Sequence, residues 1–127
     1  MWSNCANIVN TASGKCLEVY DGNYTNGQEV HVWRCDGTDE QEWNFTWDGH
    51  IEHLDSGKVL DTHAGISIYR NDGTDTQYWT YENGYIRNGS DYLEMFSNDN
   101  GADVFMGARR GMFDTYLNDQ MWSVVAC

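Results

Sequence analysis

Three carboxylates recur in one local setting: Glu18 closes Gly14-Lys15-Cys16-Leu17-Glu18, Asp61 closes Gly57-Lys58-Val59-Leu60-Asp61, and Glu94 closes Ser90-Asp91-Tyr92-Leu93-Glu94. Downstream of each comes Gln-x-Trp, at Gln41 and Trp43, Gln77 and Trp79, Gln120 and Trp122. An ionised carboxylate accepts short, strong hydrogen bonds, and an amide donates and accepts at once, so these residues are suited to holding polar groups. Covalent chemistry needs more: a nucleophile beside a base, or two carboxylates across a cleft. Acids are plentiful here, yet no spacing singles out such a pair, and we expect no catalytic residue and no enzyme.

The elements that must position these residues repeat as well. Between the carboxylate and the Trp, the first two units share Arg-x-Asp-Gly-Thr-Asp-x-Gln-x-Trp, at 34–43 and 70–79. Repetition at this period marks units that cannot bury an apolar face alone and must close on one another. We divide the chain at about 1–47, 48–82 and 83–127, within one domain of 127 residues, since no Pro- or Ser-rich linker intervenes. Short runs rich in aromatic and β-branched residues (Val30–Trp33, Ile66–Tyr69, Tyr78–Tyr81, Met121–Val125) alternate with turn dipeptides such as Asn26-Gly27, Asp48-Gly49 and Asn83-Gly84. Only 102–116 has a helical look, which Gly107 and Gly111 weaken. The pattern predicts an all-β chain of about four strands per unit, about twelve in all, around a pseudo-threefold axis. Residues two apart on a strand share a face, so each Gln and its Trp should both point inward, the three Trp filling the core. The Gln amide must then bond to buried partners, because leaving it unpaired costs about 1–3 kcal/mol.

With 7 Lys plus Arg against 20 Asp plus Glu, the formal charge is -13. Such a chain repels phosphate backbones and anionic lipid, so we expect no nucleic-acid partner. No stretch approaches the roughly 18 consecutive apolar residues of a membrane helix, and we expect no membrane insertion. The four cysteines (5, 16, 35 and 127) include no CxxC metal pair and allow three pairings. Sequons at Asn23, Asn44 and Asn88, with the even cysteine count, point to an oxidising, extracellular setting, although the N-terminus lacks the basic and apolar regions of a signal peptide. The two Asp-Gly-Thr-Asp loops read as turns that need no ion, since calcium-loop spacing is absent. We expect neither a metal nor a cofactor, and no feature of the sequence sets an oligomeric state.

The triple Gln-x-Trp, each copy preceded by Cys/Val/Tyr-Leu-Asp/Glu, resembles the ricin-B-type lectins, the β-trefoil carbohydrate-binding family, across essentially the whole chain. The resemblance implies a β-trefoil with up to three shallow sugar pockets, one per unit. Each would join an aromatic face for the C–H patch of a sugar to acceptors for its hydroxyls. By position, the second pocket would use Asp61 as its acid and Tyr69 as its stacking ring, with Thr76 and Gln77 in the hydroxyl contacts and Asp75 able to replace Thr76. The first would use Trp33 as platform, His31 beside it, Glu18 in place of the usual Asp, and Glu40 with Gln41. The third would align Glu94, Asp119 and Gln120, but Gly107 stands where the ring belongs, leaving Phe113 and Tyr116 of the longer 109–118 loop as substitutes. The family often carries a disulfide at the positions of Cys16 and Cys35, and trefoil termini meet, which would pair Cys5 with Cys127; free thiols are the alternative.

The partner so implied is a glycan, and galactose or N-acetylgalactosamine is the first expectation, because acid plus aromatic resembles the galactose-binding members. Two other readings stand beside it. One is an accessory carbohydrate-binding module of a larger glycosidase or toxin; the other is a trefoil protease inhibitor with Arg109-Arg110 as exposed bait.

Overall fold

The structure is a computed structural model describing residues 5–127; the start of the first unit, at 1–4, lies outside the described residues. The first unit contributes β1 (Ala6–Asn10), β2 (Cys16–Val19), β3 (Gln28–Trp33) and β4 (Trp43–Phe45). The second contributes β5 (Ile51–His53), β6 (Val59–Asp61), β7 (Ser67–Tyr69) and β8 (Thr80–Glu82). The third contributes β9 (Tyr85–Asn88), β10 (Asp91–Met95), β11 (Val104–Gly107) and β12 (Trp122–Ala126). There is no α-helix among the described residues, and the 102–116 stretch is β11 followed by a turn-rich loop.

The outer strands of each unit form a barrel wall. β1 pairs with β12 and with β4, β4 with β5, and β8 with β9, all antiparallel. Trp79 N–H donates to Gly49 O and Trp122 N–H to Gly84 O, both at 2.8 Å, so one join is repeated on two sides. The inner strands form the hairpins β2–β3, β6–β7 and β10–β11 in matched register: Cys16 faces Trp33, Val59 faces Tyr69, and Tyr92 faces Gly107. A wall of outer strands carrying three hairpins is the β-trefoil.

The core is stacked in threes: Ile8, Ile51 and Ile86; Leu17, Leu60 and Leu93; Trp43, Trp79 and Trp122. The most exposed of these, Trp79, is 7% accessible. Burying each indole contributes about 4–6 kcal/mol of transfer free energy as an upper bound. Strand alternation is not what turns Gln inward, however. Gln41, Gln77 and Gln120 each end a 3-10 turn, Asp39–Gln41, Asp75–Gln77 and Leu117–Gln120, that drops the chain from a surface loop back to the wall. Both flanking residues still face in, for Gln77 is 0% and Tyr78 43% exposed.

All four cysteines are paired. Cys5–Cys127 fastens β1 to β12 beside the Ala6–Ala126 pair. Cys16–Cys35 closes a sequence separation of 19, worth about 3 kcal/mol in the chain-entropy model. The free-thiol alternative is thereby excluded.

Candidate functional site

Gln-x-Trp is a clamp on the strand that carries the acid. Each indole N–H donates to the carbonyl of the leucine preceding that acid: Trp43 to Leu17 at 3.0 Å, Trp79 to Leu60 at 2.9 Å, Trp122 to Leu93 at 3.0 Å. Each Gln amide nitrogen donates to the carboxylate itself, Gln41 to Glu18 at 2.9 Å, Gln77 to Asp61 at 3.0 Å and Gln120 to Glu94 at 2.9 Å. Its second proton goes to Arg34 O, Arg70 O or Ala108 O, one residue past the ring position. Its oxygen accepts N–H from Asp36, Asp72 or Arg110 in the following loop. One amide thus ties acid strand, ring strand and loop together. With 0% exposure and both N–H groups engaged, Gln41, Gln77 and Gln120 sit beneath the acids and set their direction.

In the second unit Asp61 and Tyr69 line one recess of about 250 Å³, together with His63, Asp72, Thr74 and Thr76. Asp61 Oδ1 accepts the His63 N–H at 2.7 Å and Oδ2 the Gln77 amide. A carboxylate offers about four lone-pair sites, so acceptor capacity remains towards the recess. Thr74 donates to Asp72 Oδ1 at 2.9 Å, a bond that holds the Asp72 carboxyl below its usual range, and lies 3.1 Å from Thr76 Oγ1. Asp75 is exposed and takes no part in this lining.

The first unit places Trp33, Glu18, Tyr20, Asp21 and His31 around a recess of about 290 Å³. An adjoining one, of about 240 Å³, shares Glu18, Asp21 and Trp33 and adds Thr38 and Glu40. Trp33 is partly buried and its ring stacks on His31, centroids 5.8 Å apart. His31 is itself 3% exposed, and its Nε2 lies 2.7 Å from Glu18 Oε2. The Glu18 carboxylate is therefore bracketed, Gln41 on one oxygen and His31 on the other.

The third unit turns its acid inward to a cation. Arg110 donates to Glu94 Oε2 from Nη2 at 2.8 Å and from Nε at 3.1 Å, and reaches Asp114 at 3.3 Å. These contacts hold the guanidinium above its ordinary range. Tyr116 packs against Arg110 at 5.5 Å, and Phe113 is 96% exposed, so neither ring stands over Glu94 in the manner of Tyr69. A Cβ on Gly107 would lie 2.8 Å from Glu94 Oε1, so a side chain there would displace the carboxylate. Asp119, half-buried, has its carboxyl pushed above the usual range by burial and then by the nearby Glu94. Arg110 is committed to acids, whereas Arg109 is exposed and lies over the Tyr85 ring at 5.3 Å.

Residues two positions past each acid escape the sequence reading, although their spacing marks them: Tyr20, His63 and Phe96 are all rings. Tyr20 and His63 line the first and second recesses.

Known proteins resemble this chain in sequence and in fold. Over 56 residues the chain is 39% identical to the ribosome-inactivating protein SNAIf of Sambucus nigra, a stretch covering 44% of this chain and 10% of that protein. The chain therefore spans about a tenth of the length of that relative. The designed threefold-symmetric protein ThreeFoil superposes with a TM-score of 0.85 at 25% identity, covering 98% of this chain and 100% of the other. The C-half of the earthworm R-type lectin, solved in complex with GalNAc, gives 0.84 at 16% identity over 97% and 98% of the two chains, a likeness of fold. The family profile of the ricin-type beta-trefoil lectin domain matches residues 5–123. Carrying that match over nearly its whole length, with one Gln-x-Trp clamp per unit, the chain belongs to the ricin-type beta-trefoil lectin domain family.

Proposed function

We propose that this chain is a secreted, non-enzymatic lectin for glycans ending in galactose or N-acetylgalactosamine. Its second pocket would be the principal site, the first a weaker one, and the third silent. The observation that carries the reading is the second recess, where the Tyr69 ring and the Asp61 carboxylate share one wall and Gln77 fixes the acid from below. A sugar needs both at once: a flat face for its C–H patch and a charged acceptor for adjacent hydroxyls. Galactose, whose axial hydroxyl clears one face of the ring, suits a platform of this kind, and the earthworm protein of the same fold is solved with GalNAc. Thr74 and Thr76 add hydroxyl partners at the rim.

In the first pocket Trp33 offers the larger face, but Glu18 already serves His31. In the third, Arg110 occupies the acid. A shallow single pocket binds at about 1 mM, or about 4 kcal/mol; two on one rigid body gain avidity on clustered glycans. Two disulfides and the family support an extracellular setting. The 10% share of SNAIf that is matched supports a second reading, in which the same pockets belong to a module of a longer protein.

Calorimetric titration with methyl galactoside and N-acetylgalactosamine tests the proposal on the wild type, Tyr69→Ala, Asp61→Asn and Trp33→Ala. Tyr69→Ala and Asp61→Asn should each remove the tighter site, and Trp33→Ala the weaker. A wild type that binds neither sugar well above millimolar concentration, or a Tyr69→Ala that binds as before, sinks it.

A further inference from the structure

Tyr69 stands at the end of a row. Asn44 of β4 pairs with Glu52 of β5, Glu52 with Val59 of β6, and Val59 with Tyr69 of β7. Directly paired residues project to the same face of a sheet, and strands lie about 4.8 Å apart. These four positions therefore lie side by side, one per strand, with Asn44, Glu52 and Tyr69 partly exposed and Val59 buried between them at 2% exposure. At the Tyr69 end is the second pocket. At the other end lies a recess of about 570 Å³, lined by Asn44, Trp47, Glu52, Val59 and Asn71. Asn71 and Asp72, adjacent in the chain, line this recess and the second pocket respectively.

Trp47 is 97% exposed, so an indole able to bury about 150–250 Å² is left uncovered by the described residues. Its turn is nevertheless held in place. Thr46 N–H donates to His50 O at 2.9 Å, His50 N–H returns a bond to Thr46 Oγ1 at 2.9 Å, and Gly49 takes a φ of 95°. The buried His50 donates through Nδ1 to Gln77 O at 2.9 Å, and Gly49 O accepts the Trp79 N–H. The turn bearing Trp47 is thereby fastened to the very Gln-x-Trp that orients Asp61. The matching β8–β9 turn of the third unit reads Glu82-Asn83-Gly84-Tyr85 and carries no Trp.

We propose that the second pocket is one end of a longer groove whose ligand is a neutral oligosaccharide. Its terminal residue rests on Tyr69, and the following residues run past Asn71, over the buried Val59, to reach Glu52, Asn44 and the face of Trp47. The proposal rests on the reading of the second pocket as a sugar site. The far end also joins a ring to acids, the exposed Trp47 beside Asp48 and Glu52, and adds two amides. A chain charge of -13 disfavours an acidic polysaccharide.

The test titrates the full chain with neutral β-linked galacto-oligosaccharides of increasing length, from monosaccharide to tetrasaccharide, by calorimetry and through the Trp47 indole N–H resonance. Affinity should rise about tenfold or more along the series, with the Trp47 resonance moving only for the longer members. Trp47→Ala should return the tetrasaccharide to monosaccharide affinity with an unchanged thermal midpoint, and Glu52→Ala should remove part of the gain. Affinity that is flat with length, or a gain that survives Trp47→Ala, overturns the groove and leaves the pocket standing. Absence of monosaccharide binding overturns both. So does, for the groove alone, a glycan found by mass spectrometry on Asn44 of protein secreted from a eukaryotic host, since the recess would then house the chain's own sugar.

Discussion

Glu18 Oε2 lies 2.7 Å from His31 Nε2, its direct cross-strand partner, whereas the same register in the second unit puts Ser67 opposite Asp61. The oxygen not held by Gln thus meets a buried imidazole in the first pocket, whereas in the second it accepts the backbone N–H of His63. His31→Ser, which copies the second unit, is expected to raise galactoside affinity at the first pocket by about 3- to 10-fold, the worth of one hydrogen bond returned to the ligand. Calorimetry in a Tyr69→Ala background isolates that pocket. Weaker binding would mean that His31 positions Trp33 or touches the sugar itself.

Gln77→Ala should damage stability and recognition together. The side chain is fully buried and joins Asp61, Arg70 O and the N–H groups of Asp72 and Gly73, so its loss strands four partners. A destabilisation of about 2–4 kcal/mol is expected in denaturant titrations. Tyr69→Ala, at a partly exposed ring, should lose the same sugar site at a far smaller stability cost. Equal stability losses in the two variants would contradict the clamp.

Opening the third pocket should not make it bind. Arg110→Ala releases Glu94, which is 4% exposed, yet supplies no ring, and Gly107 carries none. We expect no added galactoside site by calorimetry and a thermal midpoint lower by roughly 5 °C, because a buried carboxylate loses its cation. A new site of millimolar affinity would show either that the acid alone suffices or that Tyr116 or Phe113 can swing over it.

The repeated clamp is legible in the sequence because its parts recur at the same offsets in three units, and a side chain that must satisfy a buried amide has few places to go. Its local conformation is not legible. Over three residues a strand and a 3-10 turn both send Gln and Trp inward, so the period cannot separate them. The Arg110–Glu94 contact depends on the path of the 109–118 loop, which has no counterpart in the other units to align with. The His31–Glu18 contact depends on the β2–β3 register, set by a connecting loop whose length does not by itself specify the pairing. The rings at Tyr20 and His63, by contrast, follow a plain spacing from the acids.

The pH dependence of stability should carry the mark of His53. This ring is fully buried between Trp43 and Tyr24. Its Nε2 lies 3.0 Å from Asp39 O, which can only accept, so Nε2 bears the proton and Nδ1 accepts from Ser56 Oγ at 2.9 Å. Burial, the largest cause, holds its pKa below the ordinary 6.5, against the opposing pull of the Asp39 carbonyl and the nearby acids. The unfolded chain takes up that proton at about pH 6.5, the folded chain only at lower pH. Between those values the unfolded state binds more protons, so stability falls as the pH is lowered through this window and is full above it, with a slope of at most about 1.4 kcal/mol per pH unit. Guanidinium unfolding from about pH 7 to about pH 5 should show this decline in the wild type and a shallower one in His53→Gln, which keeps a donor for Asp39 O but cannot titrate. Parallel slopes in the two proteins would assign the dependence to other groups.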